Sequence, residues 1–214
     1  MALTLYFHPL SSFCHKALIA LYENGTPFTP HLVDLMDAEA NAAFKKIWPI
    51  GKFPVLRDSE RTIPESTTII EYLAQHHSGP VKLIPDDADA AFEARAQDRF
   101  FDLNIHVPMQ KIIGDRIRQK GQSDSYGVEQ AHGQLQAALG LLDKAMTKRT
   151  WAAGDAFSMA DCAAGPPLFY VNMAVAPLSG TYDNAAAYLE RLIKRPSYAR
   201  ALKEAEPYLK YVPR

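Results

Sequence analysis

A chain of 214 residues has room for one large domain or two small ones, and 48% hydrophobic content fills a core in either arrangement. Its 23 basic and 24 acidic side chains nearly cancel, so no global field recruits nucleic acid or an anionic membrane. The only cysteines, Cys14 and Cys162, are too few for a disulfide scaffold and suit a reducing cytoplasm.

The opening "MALTLYFHPL" has neither a basic leader nor a following apolar run with a cleavage site, so no signal peptide is expected. "LTLYF" is β-rich, and after "HPLSS" the apolar positions 14, 17, 18 and 21 predict a helix over 13–23, closed by Asn24-Gly25. "FTPHLVDL" alternates as a second strand over 28–35. "DAEANAAFKKI" is helix-prone and stops at "WPIGK", and "FPVLRD" with "RTIPES" predicts an antiparallel hairpin. "STTIIEYLAQHH" resumes helical spacing, with Ser66 as expected N-cap. The order is βαβ and then ββα within residues 1–79.

"SGPVKLIPDDADA" gathers Gly79, Pro80 and Pro85 with three aspartates, which sets a linker over 80–89 and an all-helical unit over 90–214. That unit predicts a long helix over 90–118 with a bend at Pro108, another over 128–146, and shorter ones after Ser158, Asn184 and Pro196. "CAAGPPLFYVNMAVAPL" holds three prolines and an asparagine, which suits a buried helix better than a membrane span. "FSMAD" has S-x-x-D capping geometry, making Ser158 and Asp161 structural.

Three short segments carry chemistry. A strand running through "HPLSS" into a helix sets Ser11 and Ser12 beside free N–H groups and the positive end of the helix dipole. A dithiol enzyme would keep cysteine there, whereas a serine hydroxyl forms no disulfide but donates a hydrogen bond to a thiolate brought by a ligand. The same serines could simply cap the helix. In "GKFPVL", Pro54 opens a strand, and a cis bond would turn Phe53's backbone outward to pair with an extended peptide; a plain strand-entry proline fits equally. In "PES", Glu65 could hold an ammonium while Ser66 and the helix N-terminus hold a carboxylate, or the pair could be an acidic cap.

Together, "LYFHPLSSFCHKALIALYENG", "GKFPVL", "PESTTIIEYL", "AAGDAFSMADC" and "KRPSYARAL" resemble, in order and spacing, the soluble glutathione transferases, including bacterial members of similar length. The resemblance implies a thioredoxin-like α/β domain followed by an all-α domain. It implies an enzyme that joins the thiolate of glutathione to a small apolar electrophile, with glutathione as co-substrate and no permanently bound cofactor. It maps glutathione's cysteinyl backbone to Phe53 and Pro54, its γ-glutamyl group to Glu65 and Ser66, and its glycyl carboxylate to Lys52, with Lys45 or Lys46 as alternatives. The sulfur-activating hydroxyl maps first to Ser11, then Ser12, then Tyr6. Cysteine-type bacterial members would have their sulfur at Ser12, so this chain departs from them at that atom. Cys14, one turn into the helix, reads as a packed residue. Leu10, Phe13, Asn104, His106 and Met109 are candidate walls of the co-substrate pocket.

The resemblance further implies a cytoplasmic homodimer touching through the helix that starts near Ala90, without nucleic-acid or membrane partners. Seven histidines show no metal-ligand spacing, so no metal is expected. Three other readings share the fold: a non-catalytic ligand carrier, a glutathione-dependent reductase using a protein sulfur, and an isomerase. The missing first cysteine counts against the second, and the absent basic, cysteine-bearing opening against the third.

Overall fold

The computed structural model describes residues 3–213. Strand β1 (Leu3–Phe7) buries alternate residues, as period-2 patterning requires, and runs into helix α1 (Ser12–Glu23). Strand β2 (Phe28–Leu32) and helix α2 (Ala38–Ile47) follow, then strands β3 (Val55–Asp58) and β4 (Arg61–Pro64), and helix α3 (Ser66–His76). The sheet order is β2-β1-β3-β4, with β1 and β2 parallel and the other two pairs antiparallel. This is the thioredoxin-like βαβ-ββα arrangement. Edge strand β2 stops at Leu32, short of the predicted residue 35, and carries Pro30, which an edge strand tolerates.

Leu3, Leu5 and Phe7 join the main core with α1 and α3, while Val33, Phe44 and Val55 form a smaller cluster with Tyr6 beneath α2. Helix α3 begins one residue earlier than expected in capping terms: Glu65, not Ser66, is its N-cap. Glu65 holds φ 68° and ψ 127°, a backbone conformation that L-residues with a Cβ rarely adopt.

The helical half starts with α4 (Ala88–Phe100), passes through π-helical turns at Phe101–His106, and continues as α5 (Val107–Asp115). Just before Pro108, where a bend is expected, the hydrogen bonding widens to π-helical turns, Val107 N–H donating to the Asp102 carbonyl, and Pro108 itself has no N–H to close an ordinary α-turn. Helices α6 (Ser125–Met146), α7 (Met159–Tyr170), α8 (Asp183–Ile193) and α9 (Pro196–Ala205) follow, with a final 3₁₀ segment at Glu206–Tyr211. Helix α7 is almost wholly buried, and a Cβ on its Gly165 would sit 3.0 Å from a ring carbon of Tyr198, so glycine lets α7 and α9 approach. The expected capping box forms, the Asp161 carboxylate accepting Ser158 N–H at 2.8 Å.

Helix α1 joins the halves. Its Glu23 accepts two hydrogen bonds of 2.7 Å from Arg195, and its fully buried Lys16 pairs with Asp98 at 2.6 Å and Asp102 at 2.8 Å. Arg99 pairs with the same two carboxylates, at 2.7 Å to Asp98, so two cations face two anions and the buried charges balance. Among the described residues, no helix is long and apolar enough to cross a membrane, and no group of three or more His, Cys, Asp or Glu could hold a metal ion.

Candidate active site

The loop between β1 and α1 is held from several sides. Ser11 N–H donates to the His8 carbonyl at 2.9 Å and Leu10 N–H to His8 Nδ1 at 3.1 Å. His15 Nε2 donates to the Pro9 carbonyl at 2.6 Å, and the Tyr170 hydroxyl from α7 donates to the Leu10 carbonyl at 2.8 Å. Burial pushes the His15 imidazole down to about 4, with the Pro9 carbonyl partly opposing, so it anchors the loop in its neutral form. The loop's backbone is thereby fixed before any ligand arrives.

Ser11 is the N-cap of α1. Its Oγ accepts Cys14 N–H at 3.3 Å and also meets the Cys14 side chain, which burial keeps as a thiol able to donate to that oxygen, so the Ser11 hydroxyl proton can turn outward. Ser12 opens the helix, is 6% exposed, and lies 2.5 Å through its Oγ from His106 Nε2. His106 is fully buried, its ring stacked on Phe13 at 3.7 Å between centroids. Burial, then the Lys16 ammonium, then His15 depress its pKa to about 3. The Cys14 thiol is fully buried and pushed up to about 12 by that burial, so no thiolate forms there near neutrality.

A cavity of about 460 Å³ opens over this loop. Leu10, Ser11, Ser12, Phe53 and Met109 line it, which brings five of the sequence-predicted positions to one space. Phe13, Asn104 and His106 are not in its wall, contrary to expectation. Asn104 turns to α6, where its side-chain oxygen receives Gln134 Nε2 at 3.4 Å, while Phe13 and His106 stack behind Ser12. Tyr6 also lies off the cavity, on the α2 side of the sheet, 4.5 Å from the His31 ring and 6.0 Å from that of Phe44. Sequence reasoning missed His8, Gln110, Tyr170 and Tyr211 as cavity walls. His8 belongs to the "HPLSS" loop itself, whereas nothing in the local patterns of Gln110, Tyr170 and Tyr211 marks them, because they reach that loop only when the helical half packs down.

The Phe53–Pro54 peptide bond is cis, and the β3 ladder begins at Val55, so Phe53 sits just outside the paired strand with its ring toward His8. Lys52 is exposed on the same loop, and the Lys45 side chain lies over Gly51, where a Cβ would fall 2.9 Å from Lys45 Cε. Lys46 is exposed on α2. At the start of α3, Glu65 projects an exposed side chain that makes no capping hydrogen bond, and Ser66 is buried in the first turn. Chemically, the arrangement offers hydroxyl donors at a positive helix end, a bare peptide edge beside a proline, and an acid-serine pair. A separate cavity of about 440 Å³ near Tyr22 contains none of these groups, and in its wall Tyr22 and Arg200 both donate to Glu204, at 2.7 and 3.0 Å.

Residues 5–81 match a family model described as the glutathione S-transferase N-terminal domain, and residues 125–191 match one for the corresponding C-terminal domain. A glutathione S-transferase-like protein, LUC7, of Fusarium sp is 31% identical over 166 residues, covering 74% of this chain and 72% of that one. Glutathione S-transferase F13 of Arabidopsis thaliana is 26% identical over 209 residues, covering 94% of each chain. A crystal structure of a glutathione S-transferase from Methylobacillus flagellatus KT with glutathione bound superposes with a TM-score of 0.86 at 26% identity, covering 94% of this chain and 98% of that one.

Proposed function

Since the chain belongs to the glutathione S-transferase family, we propose that it binds reduced glutathione across the cavity above α1 and joins its thiolate to small apolar electrophiles. The observation that carries this reading is the convergence of Ser11, Ser12 and Phe53 on one cavity at the N-terminus of α1. In this reading the peptide edge of Phe53, beside Pro54, pairs with the cysteinyl backbone. The Glu65 carboxylate holds the γ-glutamyl ammonium, while Ser66 and the α3 N-terminus hold its carboxylate. Lys52 attracts the glycyl carboxylate, with Lys45 as the nearer of the two α2 lysines to that loop. Lys46 is the third basic candidate.

Ser11 is the first choice for sulfur activation, since its oxygen is occupied by the helix cap and its proton is not. A thiol of pKa roughly 8.5 needs about 2.7 kcal/mol to fall by two. A charge-assisted hydrogen bond supplies about 1.5 to 3 kcal/mol, and a helix terminus about 0.3 to 1. The thiol proton leaves to solvent. The sulfur lone pair then forms an S–C bond to the electrophile, and the leaving group departs with its bonding electrons. Leu10, Met109, Tyr170 and Tyr211 supply the apolar wall for that electrophile. Exposed Phe92 on α4 suits the proposed homodimer contact, and a cytoplasmic setting would supply the thiol.

The test is ultraviolet titration of bound glutathione in the parent, Ser11→Ala, Ser12→Ala and Tyr6→Phe proteins, alongside turnover of an activated aryl halide. Ser11→Ala is expected to raise the bound-thiol pKa by about 1 to 2 and leave glutathione affinity nearly unchanged. Tyr6→Phe is expected to change neither. An ordinary thiol pKa in the parent refutes thiolate stabilisation and favours ligand carriage.

A further inference from the structure

The contact between Ser12 and His106 is unused by the reading above, although it ties the cavity floor to the helical half across 94 residues of sequence. Both partners are buried, and the 2.5 Å separation demands one proton between oxygen and nitrogen. Two polarities are available. If Ser12 donates to His106, the imidazole proton sits on Nδ1. If His106 donates from Nε2, the Ser12 proton is released toward the cavity.

The other ring nitrogen decides between them. His106 Nδ1 is buried and has no hydrogen-bond partner. The first polarity would leave a buried N–H donor there without an acceptor; the second leaves only a lone pair. Orphaned buried donors are the rarer and costlier of the two defects. The protonated ring, which would donate from both nitrogens, is opposed by the neighbouring Lys16 ammonium and His15 as well as by burial. The stack on Phe13 holds the ring plane, and the π-helical turns ending at His106 set where that ring emerges from the helix.

We propose that His106 is a positioning residue whose Nε2–H holds Ser12 Oγ, so that the Ser12 hydroxyl points into the cavity as a second donor to the sulfur beside Ser11. This rests on the glutathione reading of the site. Two adjacent hydroxyls then act together: one with its oxygen occupied by the helix cap, the other with its oxygen occupied by an imidazole. Neither keeps its proton for the protein.

Two measurements test this. Nitrogen-15 NMR of the ligand-free parent protein reads the His106 tautomer directly, with Ser12→Ala identifying the bonded nitrogen. A neutral ring protonated on Nε2 is expected, and one protonated on Nδ1, or an imidazolium, overturns the proposal whatever glutathione does. Bound-thiol titration is then compared among Ser12→Ala, His106→Phe, the double variant and His106→Gln, each checked for parental circular dichroism. Ser12→Ala and His106→Phe are each expected to raise the thiol pKa by about 1. The double variant is expected to go no further than Ser12→Ala alone, and His106→Gln to recover part of the loss through its amide N–H. Additive shifts, or a shift in Ser12→Ala with none in His106→Phe, overturn the proposal. A parent that binds no glutathione, or binds it with an ordinary thiol, refutes the functional reading instead, and the tautomer measurement still decides the His106 polarity.

Discussion

Acidification should weaken this fold through two particular imidazoles. His15 and His106 are fully buried, with pKa values held near 4 and 3 against 6.5 for the free side chain. The folded protein keeps both rings neutral, so below about pH 6.5 the unfolded chain binds more protons and stability falls with pH. The loss stops only near the folded values, where both states are protonated. Between about pH 8 and pH 5, each site costs about 2 kcal/mol, and the pair about 4, a large share of the roughly 5 to 15 that stabilises a typical domain. Half-buried His8, also depressed by burial, acts in the same direction. Buried Asp102 and Asp161, whose pKa values burial raises, oppose it at the acid end because the folded state favours their protonated forms. Urea denaturation across this range is the assay, with His15→Gln and His106→Gln isolating the histidine part. Each variant should flatten the stability curve by about 2 kcal/mol over that span, whatever it does at pH 8. A His15→Gln curve running parallel to the parent's would refute the reasoning.

Two further outcomes follow from buried groups. Cys14 and Cys162 are both buried with pKa values pushed up by desolvation, so an aromatic disulfide reagent should label neither in the native protein and both after denaturation. Rapid native labelling of Cys14 would revive the reductase reading. Asp161 accepts hydrogen bonds from Ala152 N–H at 2.9 Å, Ser158 N–H at 2.8 Å and the Tyr188 hydroxyl at 2.6 Å. Asp161→Ala should therefore destabilise by about 3 to 5 kcal/mol and Ser158→Ala by only about 1, measured by chemical denaturation; equal effects would show that the box acts as a cap alone.

Local chemistry was legible wherever one short segment contains the whole signal. "HPLSS" before a helical pattern and "S-x-x-D" before an apolar run specify backbone geometry within a few residues and appear where expected, while "FP" at a strand start leaves two geometries open, of which the structure takes the cis bond. On α4 and its continuation Met109 reaches the cavity as expected, but Asn104 and His106 do not, because the π-helical turns hold more residues per turn than an α-helix. That shift breaks the periodicity by which a face is assigned, and it takes His106 behind Ser12 and Asn104 toward α6. The capping role passed from Ser66 to Glu65 for a different reason: a left-handed residue at a cap is a backbone choice that acidic residue type does not announce. His15 escaped notice because a histidine inside an apolar helix reads as a surface residue until its Pro9 partner is known.

The backbone at Glu65 has a consequence for anyone improving this protein by selection. A non-glycine residue at φ 68° and ψ 127° costs about 1 to 3 kcal/mol, and glycine would relieve it. Random libraries screened for heat tolerance alone should thus enrich Glu65→Gly. Under the reading proposed above, those winners would discard the carboxylate that meets the γ-glutamyl ammonium. Directed evolution here needs a ligand-dependent readout in every round, because at this one position robustness and recognition are selected in opposite directions.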